Sequence, residues 1–420
     1  MNNIAKPISA KSVEKKFIIA WLFGLLFYFL EYVIRSSPAV MIAELTRTFH
    51  VNQLGVSTIL GTYYYTYAAT SLIAGIALDR YGAKWPVAIG TAILAAGCIL
   101  FAIPMVIAGD IGRMMQGAGS AFAFTGCVYL ASHGFSAKYI ATAIGVTQCI
   151  GMLGGSAGQF VVGPFIHNGL GLDVFWIGIG IACAVVALML YFTTPPEDKS
   201  KEQNTGIVNI IDPYKIVFRN LQTYLSGLLS GLLFAPTTIF AMTWGVAFFQ
   251  HDRNYTYADA VLTCSMVPLG WVIGCPLLGW LSDRIGRRKP VLTGGIVLML
   301  LSFAQLVFAP ALLPSIFSML VFGIASGAAM IPYTIIKEAN PDEVKGSATG
   351  AINFLTFSIT AFLGPVFASK YGKDLLTSAD QTAHFRNAGG FMLLVIAAAL
   401  LFSFVIRETG SAAKGNKQAL

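Results

Sequence analysis

Gly75-Ile-Ala-Leu-Asp79-Arg80-Tyr-Gly82-Ala-Lys84 and Gly279-Trp-Leu-Ser-Asp283-Arg284-Ile-Gly286-Arg287-Arg288 are two copies of one loop, each directly after a long apolar run. Their aspartates lie 204 residues apart (283 − 79 = 204) in a chain of 420. The pattern Gly-x-x-x-Asp-Arg-x-Gly with trailing cations thus punctuates two halves of equal length. The copies depart at one place. Ala83 stands where Arg287 supplies a cation, so a charge network is expected in the second loop rather than the first.

Outward from the loops the chain is apolar. Charged residues make up 11%, against roughly 25% in an average soluble domain, hydrophobic residues 56%, and the mean hydropathy is +0.72. A water-soluble chain of this length could not cover itself with so few charges, so lipid is the expected solvent. The net charge of +8 is dispersed between apolar runs, as topology signals are, and gives no nucleic-acid footprint. Cys98, Cys127, Cys149, Cys183, Cys264 and Cys275 all fall inside apolar runs, with no Cys-x-x-Cys pair and no Cys/His cluster. Neither a disulfide framework nor a metal site is expected. The sequence also lacks phosphate-cradling loops, nucleophile motifs and paired catalytic carboxylates, so no enzyme and no cofactor is expected.

A bilayer core needs about 20 apolar residues per helix. Runs of that length give spans near 17–45, 54–78, 85–103, 106–132, 139–166 and 172–194, then 221–249, 258–281, 290–309, 312–336, 346–369 and 388–407. The N-terminal half is therefore 1–194, the polar stretch 195–220 a cytoplasmic linker, and 221–420 the C-terminal half. Met1 to Lys16 lacks a small-residue cleavage site, so the first run reads as a retained span. With both termini inside, inner segments hold 20 Lys/Arg and outer segments 5, with Arg35 and Arg113 inside spans, which orients the chain. Further repeats support the duplication: Gly163-Pro164 matches Gly364-Pro365, and Gly117-Ala-Gly119-Ser120 matches Gly323-Ile-Ala-Ser-Gly327. Small residues at such spacing let helices approach closely, and internal duplication is how rocking transporters are built.

The two Asp-Arg loops, together with Arg113-Met-Met-Gln116-Gly117-Ala-Gly119, resemble the shared motifs of the major facilitator superfamily. That resemblance implies an all-α membrane protein, with twelve transmembrane helices in two pseudo-symmetric six-helix halves. Narrower stretches are similar to the proteobacterial intraphagosomal amino-acid transporter family: Glu31-Tyr-Val-Ile-Arg35-Ser-Ser-Pro38, Tyr63-Tyr-Tyr-Thr-Tyr67-Ala and Gly119-Ser-Ala-Phe-Ala-Phe124. The family imports amino acids and also nucleosides or vitamins. The first-span arginine is also placed as in the organophosphate and organic-anion symporters, which form the alternative reading.

Arg35 and Glu31 lie four apart, hence on one face of the first helix. A charge at bilayer depth costs at least ~2.5 kcal/mol, so both should face the bundle interior. Arginine's planar fork suits a carboxylate, which makes Arg35 the expected substrate anchor, while Glu31 either orients it or carries the coupled proton. The alternative is mutual neutralisation, outward snorkelling of Arg35 being opposed by the apolar run that continues past Pro38. Arg113, with Asp110 three residues before it, reads as a coupling cation or as a local Asp110–Arg113 pair. His133 reads as solvated. Asp79, Arg80, Asp283 and Arg284 read as gating groups, each aspartate meeting a neighbouring helix N-terminus in one conformation; the competing reading is plain turn chemistry.

The second half offers only neutral candidates, Thr237, Thr238, Trp244, Tyr333, Asn353 and Thr356, facing Tyr63, Tyr64, Tyr67 and Gln148 of the first. A wall of aromatics and amides with one charged anchor suits a small zwitterion or nucleoside. The residues expected to contact substrate are Arg35, Tyr64, Tyr67, Gln148, Trp244 and Asn353, with Glu31, Arg113 and Asp110 for protons. The expected activity is proton-coupled import of an amino acid or similar carboxylate across a bacterial inner membrane by a monomer. The expected partners are the nutrient, protons and lipid. Two classes compete: a transporter-like receptor, disfavoured because no extended cytoplasmic domain is read, and drug efflux, disfavoured by an Arg-led cavity.

Overall fold

The computed structural model describes residues 10–135, 137–197, 212–341, 344–372, 375 and 380–410. It is 88% helical, with no strand among the described residues. The first half runs through α1 Ala10–Ser36, a 3-10 turn Ser37–Val40, α2 Ile42–Phe49, α3 Gln53–Tyr81, α4 Lys84–Phe101 and α5 Val106–Gly134. It continues with α6 Ala137–Phe160, α7 Val162–His167 and α8 Leu172–Thr193. After α9 Asp212–Arg219 the second half begins with α10 Leu221–Ala235, a π-helical stretch Pro236–Trp244 and α11 Gly245–Arg253. Then come α12 Tyr257–Ile285, α13 Lys289–Phe308 and α14 Ser315–Ser326. A 3-10 turn Gly327–Met330, α15 Ile331–Ala339, α16 Lys345–Phe367, a π turn Ala368–Gly372 and α17 Gln381–Val405 complete it.

Among the described residues, ten helical segments are long and apolar enough to cross a membrane. α3 and α5, 29 residues each, complete the expected twelve by length. They fall short in hydropathy because α3 carries tyrosines and threonines, and α5 carries Arg113, Gln116 and many glycines. Large apolar side chains such as Phe192, Phe362, Leu394 and Leu401 are exposed on the outside of the bundle. In water such a surface would aggregate; in hydrocarbon it is the natural boundary.

The duplication reaches the backbone. α3 and α12 are both 29 residues long and start 204 residues apart (257 − 53 = 204). Each starts on a side-chain cap: Asn52 Oδ1 accepts from Gly55 N at 2.8 Å, and Thr256 Oγ1 from Asp259 N at 3.1 Å. Each ends on the second glycine of its loop, in the left-handed region (φ 70 at Gly82, φ 68 at Gly286). That conformation is why the motif needs glycine there. Close approach repeats as well. A Cβ on Gly117 would lie 2.1 Å from Tyr63 O, and one on Gly323 would lie 2.2 Å from Val267 O. Tyr63 and Val267 are again 204 apart (267 − 63 = 204). So α5 seats on α3 as α14 seats on α12, while α3 packs on α16 and α6 on α12 between halves.

Two expectations change. The span read as 17–45 is broken: α1 stops at Ser36, and Pro38 stands in the 3-10 turn before α2 because proline cannot continue the helical ladder. Arg35 therefore sits in the last turn of α1, not mid-helix. The polar stretch 195–220 contains a helix, α9, whose Tyr214 hydroxyl donates to Leu72 O at 2.9 Å. Much of the rest of the linker, 198–211, lies outside the described residues, as do Lys345's side chain and the C-terminal cations beyond 410.

Candidate substrate and coupling site

The end of α1 builds the charged centre. Arg35, 2% exposed, donates through Nη2 to Glu31 Oε1 at 2.5 Å and through Nε to Tyr63 Oη at 3.1 Å. The Tyr63 hydroxyl in turn donates to Glu31 Oε1 at 2.5 Å, closing a three-membered ring of contacts. Aromatic faces enclose the guanidinium, with Tyr32 at 4.5 Å, Tyr67 at 4.8 Å and Phe357 at 5.1 Å. Cation–π contact replaces the water that a free arginine would bind.

Arg113 turns away from Asp110. The break at Pro38 leaves the last carbonyls of α1 without helical partners, and Arg113 Nη1 takes Ile34 O at 3.4 Å and Gln116 Oε1 at 2.6 Å. Its guanidinium lies 4.8 Å from the Tyr63 ring centre. No carboxylate pairs with it among the described residues. The Asp110–Arg113 pair, the alternative to a coupling role, is therefore not formed, and Asp110 is half-buried near the start of α5. The buried centre of Glu31, Arg35 and Arg113 has one carboxylate for two guanidiniums. His133 is half-exposed, its ring stacked on Tyr129 and 4.0 Å from Glu197.

Two of the cavities between the halves share lining residues. One of about 600 Å³ opens at the end carrying the duplicated loops, lined by Gln148, Cys149, Cys275, Asp283, Tyr333 and Lys337 among others. At its head is a second of only about 10 Å³, walled by Tyr28, Tyr32, Tyr67, Phe124, Phe234 and Phe357 together with Gln148, Tyr333 and Asn353. Phe124, Gln148, Met330 and Tyr333 line both, so the large cavity leads to the small one. The opposite end is shut. Tyr257 Oη is shared between Val40 O (2.9 Å) and Gly163 O (3.0 Å). Gln159 Nε2 donates at 2.7 Å to Ala241 O, within the π-helical stretch. A π segment loosens the regular ladder, and such segments concentrate at functional sites.

Of the six residues expected to touch substrate, Tyr67, Gln148 and Asn353 line the small cavity. Arg35 lies one layer behind it, screened by Tyr32, Tyr67 and Phe357. Tyr64 packs on Tyr63 and Phe357, and Trp244 packs on Gly372; neither lines a cavity described here. Sequence reading missed Tyr28 and Tyr32. Their spacing from Arg35 (seven and three residues, on the face of Glu31) is the signal that could have found them. Phe357 and Phe234 left no such signal.

The loops differ in chemistry. Arg288 grips Glu338 side-on (Nη2–Oε1 2.7 Å, Nε–Oε2 3.2 Å) and also holds Asp283 Oδ1 at 2.5 Å. Bonding to Glu338, and then to Asp283, holds the Arg288 guanidinium above its ordinary range despite partial burial. The N-terminus of α13 is capped not by Asp283 but by Glu408, which accepts from Arg288 N at 2.6 Å and Lys289 N at 3.1 Å. Burial works to raise the Glu408 carboxyl, and backbone N–H donors outweigh it, so it lies below the usual carboxylate range. In the first half Glu197 is the counterpart, accepting weakly from Ala83 N (3.4 Å) and from Tyr129 Oη (2.7 Å). Lys84 lies over the Tyr191 ring at 4.7 Å. Arg80 and Arg284 lie over their neighbours Tyr81 and Trp280, and the Asp79 side chain lies outside the described residues.

A helical bundle with an apolar outside, a duplicated frame and a cavity between halves defines a multi-pass membrane protein of the transporter kind. Residues 24–365 match the profile of the Major Facilitator Superfamily, and the chain belongs to it. It stands among membrane transport proteins, not enzymes. The chain is 23% identical over 342 residues to "Multidrug resistance protein Stp" of Mycobacterium tuberculosis, covering 70% of this chain and 63% of that protein. It is 30% identical over 137 residues to a "D-xylose transporter" of Levilactobacillus brevis, covering 32% of this chain and 29% of that one. These matches span less than two thirds of either relative's length. Among solved structures, a nucleoside transporter NupG mutant superimposes with TM-score 0.70 at 18% identity, over 91% of this chain and 99% of that one. This likeness is one of fold.

Proposed function

We propose that the chain is a proton-coupled importer of a small carboxylate-bearing nutrient, an amino acid or a molecule like it, in a bacterial inner membrane. The observation that carries the reading is the buried Glu31–Arg35–Tyr63 cluster beside the head of the cavity, with Arg113 uncompensated behind it. Such a centre carries one net positive charge with Glu31 ionised and two with Glu31 protonated. A proton on Glu31 releases Arg35 from its partner, and the excess charge favours an anion in the cavity. Proton and carboxylate then bind cooperatively, and linkage makes the effect reciprocal. The same charge disfavours cationic drugs. The count of 20 inner against 5 outer cations supports both termini on the cytoplasmic side, which makes the 600 Å³ cavity inward-open. A duplicated frame rocking around a central site accounts for alternating access. A monomer suffices for this mechanism, and the duplicated loops are its gating elements.

The reading is tested by uptake of each amino acid into proteoliposomes under an imposed pH gradient, beside its C-terminal amide. The acid should accumulate and the amide should not. Equal transport of both would remove the carboxylate from the recognition.

A second reading is favoured by one observation. The cavity wall is aromatic with amide groups, and the cations lie behind it rather than in it. A nucleoside or related neutral ring stacks on such a wall without needing an anchor charge. Uridine competing for uptake while amino acids do not would select it.

A further inference from the structure

Two amide side chains, one from each half, meet the small cavity in the same arrangement. Gln148 on α6 accepts at Oε1 from the Tyr28 hydroxyl at 3.3 Å, and Asn353 on α16 accepts at Oδ1 from the Tyr333 hydroxyl at 2.6 Å. Each tyrosine belongs to the same half as its amide. With the oxygens so engaged, the NH₂ groups are left over, and neither Gln148 Nε2 nor Asn353 Nδ2 has a partner. The side chains are 5% and 3% exposed. A buried donor without an acceptor costs about 1–3 kcal/mol, so two of them on one wall need an explanation. Both residues line the 10 Å³ cavity, a space that admits about one water. The two unpartnered donors thus belong to residues lining one small space, one from each half.

We propose that Gln148 and Asn353 form a clamp for one acceptor group of the substrate, a carboxylate oxygen if the reading above holds, and that this group ties the two halves together at the head of the cavity. Tyr28 and Tyr333 are positioning residues. By occupying the amide oxygens they turn both NH₂ groups inward, so that the clamp presents donors only and refuses substrates that offer a donor at that point. Because one amide moves with each half, the bonds can form together only when the halves meet around the substrate. Binding and closure are then a single event. Arg35 contributes field from behind the aromatic layer and the clamp supplies the direct bonds.

The test is a thermal-shift titration of the full chain in nanodiscs with each of the twenty amino acids, each C-terminal amide, and uridine. An amino acid that binds wild type should bind Gln148→Leu and Asn353→Leu about tenfold or more weakly, the loss expected for a hydrogen bond to a charged group. If Asn353→Leu fails to fold, Asn353→Ser keeps a hydroxyl and removes the amide. Tyr28→Phe and Tyr333→Phe should weaken binding by less and should let analogues carrying a donor bind. The C-terminal amide keeps its carbonyl oxygen. The leucine variants should therefore weaken it too, whereas Arg35→Ala should not. Leucine variants that bind the acid like wild type overturn the clamp and leave the carboxylate reading standing. Uridine binding that the leucine variants weaken, with no amino acid binding, keeps the clamp and removes that reading. No shift from any of these compounds overturns both.

Discussion

In the first half the buried charges gather at the centre, and at its loop after α3 the contacts seen among the described residues are Lys84 resting on the Tyr191 ring and Glu197 accepting from Ala83 N and Tyr129 Oη. In the second half the centre is neutral and the charges lie away from it, Asp252 against His384 at the end of α11 and, at the loop after α12, Arg288 joining Asp283 to Glu338 while Glu408 caps α13. At the 204-residue offset, the positions of Glu31 and Arg35 are filled by Ala235 and Ile239. The shared features (caps, left-handed glycines, close helix contacts) are those the backbone requires. Side-chain charge is not required by the backbone, so it can concentrate in one copy. A repeat thus preserves the frame while the two halves carry different chemistry, a buried charge centre in the first and a tied loop in the second.

The sharpest way to break this contrast is Glu31→Gln. Accumulation against a gradient should be abolished while exchange, which needs no net proton movement, persists. Uphill uptake with its pH dependence intact would take coupling out of the first half's centre and direct attention to Asp110 or to sodium. Next in size is Arg35→Ala. Truncating one partner of a buried, hydrogen-bonded charge pair costs ~2–5 kcal/mol. At about 1.4 kcal/mol per tenfold, substrate affinity should fall roughly 30-fold or more. Arg35→Lys should recover little, since an ammonium cannot reach Glu31 and Tyr63 together. A mutation of equal size at Ile239 to Ala should leave affinity near wild type; a matching loss there would erase the asymmetry.

The loops give smaller effects. Arg288→Ala should slow turnover and cost about 1–2 kcal/mol of stability, because Glu338, Asp283 and the Ser282 hydroxyl, which accepts from Nη1 at 2.9 Å, lose a partner at a partly buried site. Lys84→Ala should cost about 0.5 kcal/mol, a single half-buried cation–π contact. If turnover falls alike in both, the loops are equivalent despite their chemistry. Asp283→Asn and Asp79→Asn refine the point: both should slow turnover while protein levels stay near normal, and loss of folding instead would make the aspartates structural. Smallest is the pH dependence of Glu408. Its folded carboxyl titrates below its unfolded value, so its contribution is present at neutral pH and is lost as pH falls through the folded value. Melting temperature in detergent should drop on acidification more steeply in wild type than in Glu408→Gln; parallel curves would show that the cap contributes nothing.

Much of the fold is legible in the sequence because its determinants are local. Apolar length sets the helices, the cap and glycine set where α3 and α12 begin and end, and the i,i+4 spacing puts Glu31 beside Arg35 on any helix. What lies between helices is not legible. Arg113 has Asp110 at i−3 and Gln116 at i+3, both equally near in sequence. Only the broken end of α1, with Ile34 O left open, decides for Gln116. Tyr63 bridging Glu31 and Arg35, Phe357 closing the cage from the other half, Glu408 reaching a helix 120 residues away and Tyr257 sealing one end all depend on how helices are rotated and how closely their backbones approach. Those two quantities come from packing every helix at once, so the chain's own order determines the parts and the charge pair, and the tertiary structure alone decides what the cavity presents to a substrate.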